Sequence, residues 1–176
     1  MTNAISKVVA IILAVILTII VPVYNVYWMI DRTVYNQVGV VTNRFQKEVR
    51  TRGYVSKDIY ENFMKDLSNT KRSYDVKMLH RKVTYYPLSP TSPKFKPEKP
   101  WTIEIYKYNE KTILETIYNK NKPMDYKMNI NDDFSVSVED KSFSGARIFW
   151  NFMGKGSNQN SVIFSTYGGV IENEAN

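Results

Sequence analysis

His80 is the only imidazole in a chain of 176 residues, and it sits among the basic side chains Lys77, Arg81 and Lys82. Nucleophilic catalysis needs a hydroxyl or thiol beside a base, and a third group to orient that base. The chain has no Cys, and no GxSxG element occurs around any of its serines. The expectation for His80 is a histidine on the surface of a strand, whose functional counterpart is a pH-sensitive contact. Absence of Cys also removes disulfides, thiolate zinc sites and iron–sulfur clusters, and a single His leaves no histidine cluster.

Three other groupings could carry chemistry. Asn129, Asn131, Asp132 and Asp133 bring oxygen ligands together, but a calcium loop places them at regular offsets with a Gly turn and a closing Glu. The segment NINDD lacks both, so a turn before a strand is expected. Gly168 and Gly169 are an adjacent pair in STYGGVIENE, without the Lys and following helix of a phosphate loop, and they are expected to make a bulge or tight bend in a strand. The run YKYNEKTILETIYNKNK, from Tyr106 to Lys122, interleaves Tyr and Lys as a stacking surface for nucleic acid would. Alternating Tyr and Lys is equally the pattern of a half-buried strand. Beyond residue 30 the chain holds 23 basic and 17 acidic residues, a net of +6. Charge alone points to nucleic acid, so it is not the expected partner; an anionic surface or polymer accounts for the same sign. No catalytic, cofactor-binding or metal-ligating residue is assigned, and no enzymatic activity is expected.

The elements that must position these residues begin with an uncharged run. Val8 to Ile30 holds 23 residues without one charge. As a helix it would span about 34 Å, against a hydrocarbon core of about 30 Å. Thr18 is the only polar side chain from Val8 to Val21 and can bond its own backbone. Tyr24, Tyr27 and Trp28 gather near the far end, where amphipathic rings prefer a membrane interface. Pro22 costs one helical hydrogen bond, a defect that membrane helices tolerate. Lys7 and the apolar run would also suit a secretory signal, but Pro22, Val23, Tyr24 and Asn25 are poor neighbours for a small-x-small cleavage site. An uncleaved anchor over residues 1–30 is expected, with the lipid bilayer as a partner. The positive-inside count favours a cytoplasmic main domain, since Arg32, Arg44, Lys47 and Arg50 outweigh Lys7.

After Asp31, Val34, Val38, Val41, Phe45 and Val49 recur at spacings of three and four, which places them on one helical face. Residues 31–53 are expected to continue the helix as an amphipathic segment ended by Gly53, with Arg50 and Arg52 suiting the helix terminus. Residues 54–176 form the remaining domain. Ser56 caps a short helix over about Lys57 to Asn69, whose Ile59, Phe63 and Leu67 are expected to lie against a sheet. Tyr74 to Tyr86 reads as a strand with Tyr74, Val76 and Met78 on one face. Pro87, Pro90, Pro93, Pro97 and Pro100 make an exposed, partly polyproline-like loop, which returns as an antiparallel strand over Trp101 to Tyr108. Glu110 to Asn119 is helical; Phe134, Val136 and Val138 mark a third strand, and Ser161 to Ile171 a fourth. Ser142 to Phe152 is a short helix or an aromatic hairpin, ended by Gly154 to Gly156. The fold class is α+β: a long N-terminal transmembrane and amphipathic helix leading into a small antiparallel-sheet domain with short helices.

In this order of elements, with TRGYVS ending the long helix, DIYENFMKDLSNT as the short one, and FSVSVED and YGGVIENE in the sheet, the chain resembles the TadE-like minor pseudopilins encoded with tight-adherence pili, in their Gram-positive version. The resemblance covers nearly the whole chain in element order. It implies a head domain on the extracytoplasmic side, held by a single-pass helix at the cell surface. It also implies a non-enzymatic role in pilus assembly or secretion, through contacts with other pilin-like proteins or with copies of itself. One departure matters. Prepilin processing uses a small residue just before the apolar run and a Glu at its fifth position, whereas here Lys7 precedes Val8, Ile12 is fifth, and the first Glu of the chain is Glu48. The expectation is a component that stays in the membrane. The other reading of the same chain is a membrane-anchored binding module for an anionic polymer, either cell wall or nucleic acid.

Overall fold

The computed structural model describes residues 2–142, 145, 148 and 162–173. The chain divides into two compact units, Met1–Gln37 with Ser142–Asn160, and Val38–Lys141 with Ser161–Asn176. The expected helix or hairpin over Ser142 to Phe152 and the run Gly154 to Gly156 lie, apart from isolated positions, outside the described residues.

Helix α1 runs Thr2–Arg52 and continues through Pro22. Nearly all of its residues from Ala4 to Ile30 are exposed. Thr18 Oγ1 donates to the Ala14 carbonyl at 2.7 Å, so the one hydroxyl in the apolar run is satisfied within the helix. Gly53 ends α1 at a φ of 75°, in the left-handed region that favours glycine, and its N–H donates to the Val49 carbonyl at 2.8 Å.

The second unit is built on the last four turns of α1. Val38, Phe45 and Val49 are buried, as the periodicity predicts, and so are Thr42 and Gln46 on the same side. Thr42 Oγ1 donates to the Val38 carbonyl at 2.7 Å, which removes the cost of burying its hydroxyl. Helix α2, Lys57–Ser68, starts at Ser56, whose side chain accepts from the Ile59 N–H; it buries Ile59, Tyr60, Phe63 and Leu67. Contrary to expectation, this face meets a helix. Phe63 stacks on Phe45 of α1 with ring centroids 4.2 Å apart, and Phe45 in turn meets Phe134 in the sheet edge-on at 6.2 Å. The periodicity of α2 showed which side is buried; nothing in it could name the element that covers that side.

Among the described residues the sheet has four antiparallel strands in the order β3-β2-β5-β6: β2 Tyr74–Pro87, β3 Trp101–Asn109, β5 Asp133–Asp140 and β6 Val162–Val170. A second sheet pairs β1, Tyr54–Val55, with β4, Tyr126–Lys127. Helix α3, Glu110–Ile117, follows β3 directly; Asn109 caps it by accepting from the Thr112 N–H, and Ile113 and Ile117 are buried. The inward face of the sheet is Val76 and Met78 of β2 with Phe134, Val136 and Val138 of β5, all buried. The register sets Val76 opposite Val138 and Met78 opposite Val136. The loop between β2 and β3 is a succession of hydrogen-bonded turns, Ser92 N–H to the Ser89 carbonyl, Phe95 to Ser92 and Lys99 to Lys96, closed at its base by Leu88 N–H to the Pro100 carbonyl at 2.8 Å.

The glycine pair makes no bulge. Gly168 and Gly169 stay in register with Ser135 and Phe134, and the irregularity in this strand pair falls at Val138/Glu139. What the glycines supply is room. A Cβ on Gly169 would stand 2.9 Å from Cζ of Arg50, and one on Gly168 would stand 2.9 Å from Cβ of Ser135. Arg50 cannot easily move aside, because its Nε donates to the Val170 carbonyl at 2.7 Å and its Nη2 pairs with Glu172 at 2.6 Å. Gly169→Ala is therefore expected to lower stability by about 1 kcal/mol, although Gly→Ala in strained-free backbone ordinarily stabilises. In an Arg50→Ala background the same change is expected to be neutral or stabilising. Thermal unfolding of the four variants in detergent checks this; equal effects in both backgrounds would contradict it.

Candidate functional site

Two features of the molecule go beyond what a small sheet domain needs. One is the apolar surface of α1. The helix is long and apolar enough to cross a membrane, and none of its most apolar stretch is buried. A core helix of a soluble protein passes the same composition test but is covered by its own fold. Here the side chains are open: Ile5 is 68% exposed and Ile12 53%. Burying apolar surface stabilises by roughly 25 cal/mol per Å², so leaving a helix of this kind in water is costly. Toward the end of the run, Arg32 lies over the Trp28 ring at 5.5 Å from its centroid, a cation–aromatic pair suited to a water interface.

The other feature is a buried polar network around His80. The expectation of a surface histidine is overturned: His80 is 2% exposed. Strand parity explains it. His80 follows Tyr74, Val76 and Met78 at every second position, so it points inward with them, while Lys77 and Arg81 occupy the outward face. That parity was the available signal, and the neighbouring charges masked it. His80 Nε2 bonds Asp132 Oδ2 at 3.0 Å, and Nδ1 bonds the Tyr126 hydroxyl at 2.8 Å. A carboxylate only accepts, so Nε2 carries the proton, and in the neutral ring Nδ1 accepts from the Tyr126 O–H. Tyr108 stacks on the imidazole, with centroids 5.5 Å apart.

Asp132 is the centre of this network. It is 1% exposed and sits in the NINDD turn, where Asn131 takes a φ of 70°. Its Oδ1 accepts from Val83 N–H at 2.9 Å and its Oδ2 accepts from Asn129 N–H at 2.9 Å as well as from His80. Pairing between β2 and β5 ends at Arg81 and Asp133, so the carboxylate satisfies a β2 amide just past the end of that ladder. The turn expected over NINDD is present, and one of its members ties β2 to β5 and, through His80 and Tyr126, to β4. Asp133 points elsewhere and pairs with Arg81 at 2.6 Å. Among the described residues no group of His, Asp and Glu is arranged to hold a metal ion.

Burial pushes the His80 pKa below its ordinary value, against the opposing pull of Asp132. Burial also pushes the Tyr126 phenol up, with Tyr108 and Asp132 adding to the shift. The connectivity hydroxyl–imidazole–carboxylate is that of a nucleophilic relay, but a phenol held harder to ionise is a poor nucleophile. The arrangement supports a structural tie. Because the folded pKa of His80 is depressed, the unfolded chain binds the extra proton first, and stability is present above about pH 6.5 and lost as pH falls below it. Unfolding midpoints between pH 8 and 5 are expected to drop more for the wild-type chain than for His80→Gln. Parallel profiles would contradict the assignment.

Tyr106 and Lys107 lie on β3, Lys111 and Glu115 on α3, and Tyr118 just after it, so the interleaved run divides between a strand and a helix and forms no single stacking platform. Tyr126, an isolated Tyr in a two-residue strand, was not singled out from the sequence, and Arg50 was read as a helix-end charge rather than as a partner of the last strand. Compared with known protein families, with curated proteins and with solved structures, the chain matches none.

Proposed function

We propose that this protein is a non-enzymatic, single-pass membrane component of a pilus or secretion apparatus, resembling the TadE-like pseudopilins, with its sheet domain on the extracytoplasmic side. The observation that carries the reading is the apolar stretch of α1, none of which is buried, in a helix whose last turns form part of the core of the sheet domain. The chain thus carries the apolar surface and, in the last turns of the same helix, the buried Val38, Phe45 and Val49 of the sheet domain. Apolar helices of this kind leave lipid only by packing on one another, which keeps their surface away from water. Lys7 before the run and Ile12 at its fifth position favour a chain that remains in the bilayer and contacts pilin-like partners or copies of itself there.

Photo-crosslinking from benzoylphenylalanine at Ile12 in native membranes tests this reading. Discrete adducts with small single-helix proteins, or with a second copy, are expected. Adducts with lipid alone would leave an anchor without an assembly role and would overturn the proposal.

A further inference from the structure

The sheet is staggered. Strand β5 covers β2 only from Tyr74 to Arg81, whereas β3 continues alongside β2 out to Pro87. Residues 82–87 and 101–106 therefore form a two-stranded ribbon beyond the rest of the sheet. The register places Val83 opposite Ile105, Tyr85 opposite Ile103 and Pro87 opposite Trp101, all on the outward face. Tyr85 is 56% exposed, Trp101 43%, Ile103 43% and Ile105 57%. Elsewhere that face is mixed, with Lys77 and Arg81 on β2 beside Ser135 and Ser137 on β5, Leu79 half-buried between them and a single exposed Val170 at the end of β6. The other face of the ribbon is polar too, closed by hydrogen bonds from Tyr106 to Glu104 at 2.7 Å and between Tyr86 and Tyr106 at 3.1 Å. So the apolar strip is one-sided, and its exposed aromatic and branched side chains cluster on the ribbon.

Its surroundings are basic. Lys94, Lys96 and Lys99 in the turns of the connecting loop, and Lys107 on β3, are exposed and form no ion pair among the described residues, against one carboxylate of the loop, Glu98. Two copies joined through this strip would bring like charges together, which disfavours a second chain as the occupant. A polyanion would match the lysines and leave Trp101, Ile103 and Ile105 in water. An anionic lipid surface matches both features: the lysines face headgroups, and Trp and Tyr take the interfacial layer they prefer. We propose that the outward face of the β2–β3 ribbon docks on an anionic lipid surface, as a membrane contact separate from α1.

The chain has no Cys, so a single introduced thiol reports one position. The full chain is reconstituted in vesicles of phosphatidylcholine alone or with phosphatidylglycerol, carrying a nitrobenzoxadiazole label at Ile103→Cys, with Ile105→Cys as a repeat. In anionic vesicles the label is expected to shift to the blue and to be quenched by lipid-borne nitroxides. Salt, or Lys94, Lys96 and Lys99 each changed to Gln, should reverse this, the triple change lowering the docked-to-free ratio about a hundredfold. A label at Ser137→Cys should stay water-like throughout. Ile16→Cys reports the anchor independently and should be quenched in both lipids. The proposal is overturned if Ile103 remains water-like in anionic vesicles while Ile16 is quenched. It is equally overturned by a blue shift that ignores lipid charge and fades as protein is diluted, the mark of a second copy, or by one produced by soluble polyglutamate.

Discussion

Asp132→Ala is expected to destabilise the sheet domain by about 3–5 kcal/mol, the range for removing one partner of a buried charged network. Three donors lose their acceptor at once: the His80 imidazole and the amides of Val83 and Asn129. The imidazole cannot turn to water, because His80 and the carboxylate site are almost wholly enclosed, while the two amides are partly buried. The loss should not stay local. Asp132 ends the β2–β5 ladder, and its own carbonyl accepts from Ile171 N–H at 2.8 Å, just past β6, so the turn that holds it also seats the end of the last strand. Thermal unfolding of the full chain in detergent should show a fall of roughly 10 °C or more in midpoint. In a double-mutant cycle, Asp132→Ala and His80→Ala should be coupled by more than about 1 kcal/mol. A shift of only a degree or two, or additive effects, would mean the network is incidental to the fold.

The second large effect concerns α1. Ile12→Arg together with Ile16→Arg places two guanidinium groups four residues apart, on one side of the apolar run. On an insertion scale each substitution costs about 3–4 kcal/mol at the centre of a membrane helix, so the pair should cost roughly 6–8 kcal/mol. Both positions are exposed, so neither change disturbs packing within the chain. The wild-type chain and the matching Leu pair are expected to remain with membranes after alkaline carbonate washing, and the Arg pair to be lost from them. Retention of the Arg pair at the wild-type level would show that α1 is held by something other than hydrocarbon.

The difference between these two predictions reflects what a sequence can and cannot display. The apolar run, the stripe from Val38 to Val49, the Gly53 stop and the alternation of β2, β3 and β5 are local patterns, each written in a stretch of side chains with a fixed period, and all are present in the structure. The network at Asp132 is not local. Its members lie at positions 80, 83, 126, 129 and 132, and only strand pairing brings them together. NINDD could be recognised as a turn from its Asn and Asp residues, but not as the acceptor for a histidine some fifty residues earlier. Gly168 and Gly169 show the same limit. Their absence of side chains was visible, yet the reasons for it, Ser135 on the paired strand beside Gly168 and the Arg50 guanidinium of α1 over Gly169, lie far away in the chain. The alternation of β3 was legible, but not that its apolar side faces outward, because the stagger of β5 decides which part of the ribbon is covered.

The proposed role requires α1 to be immersed in a bilayer with the sheet domain outside the cytoplasm. In a chain without Cys, single thiols at Ile16 and at Lys111, whose side chain is 81% exposed on α3, can be compared directly in intact, wall-stripped cells treated with a membrane-impermeant maleimide. Lys111→Cys is expected to be labelled at once, and Ile16→Cys only after detergent is added. Labelling of Ile16→Cys in intact cells, or protection of Lys111→Cys until the cells are opened, would contradict the proposed role.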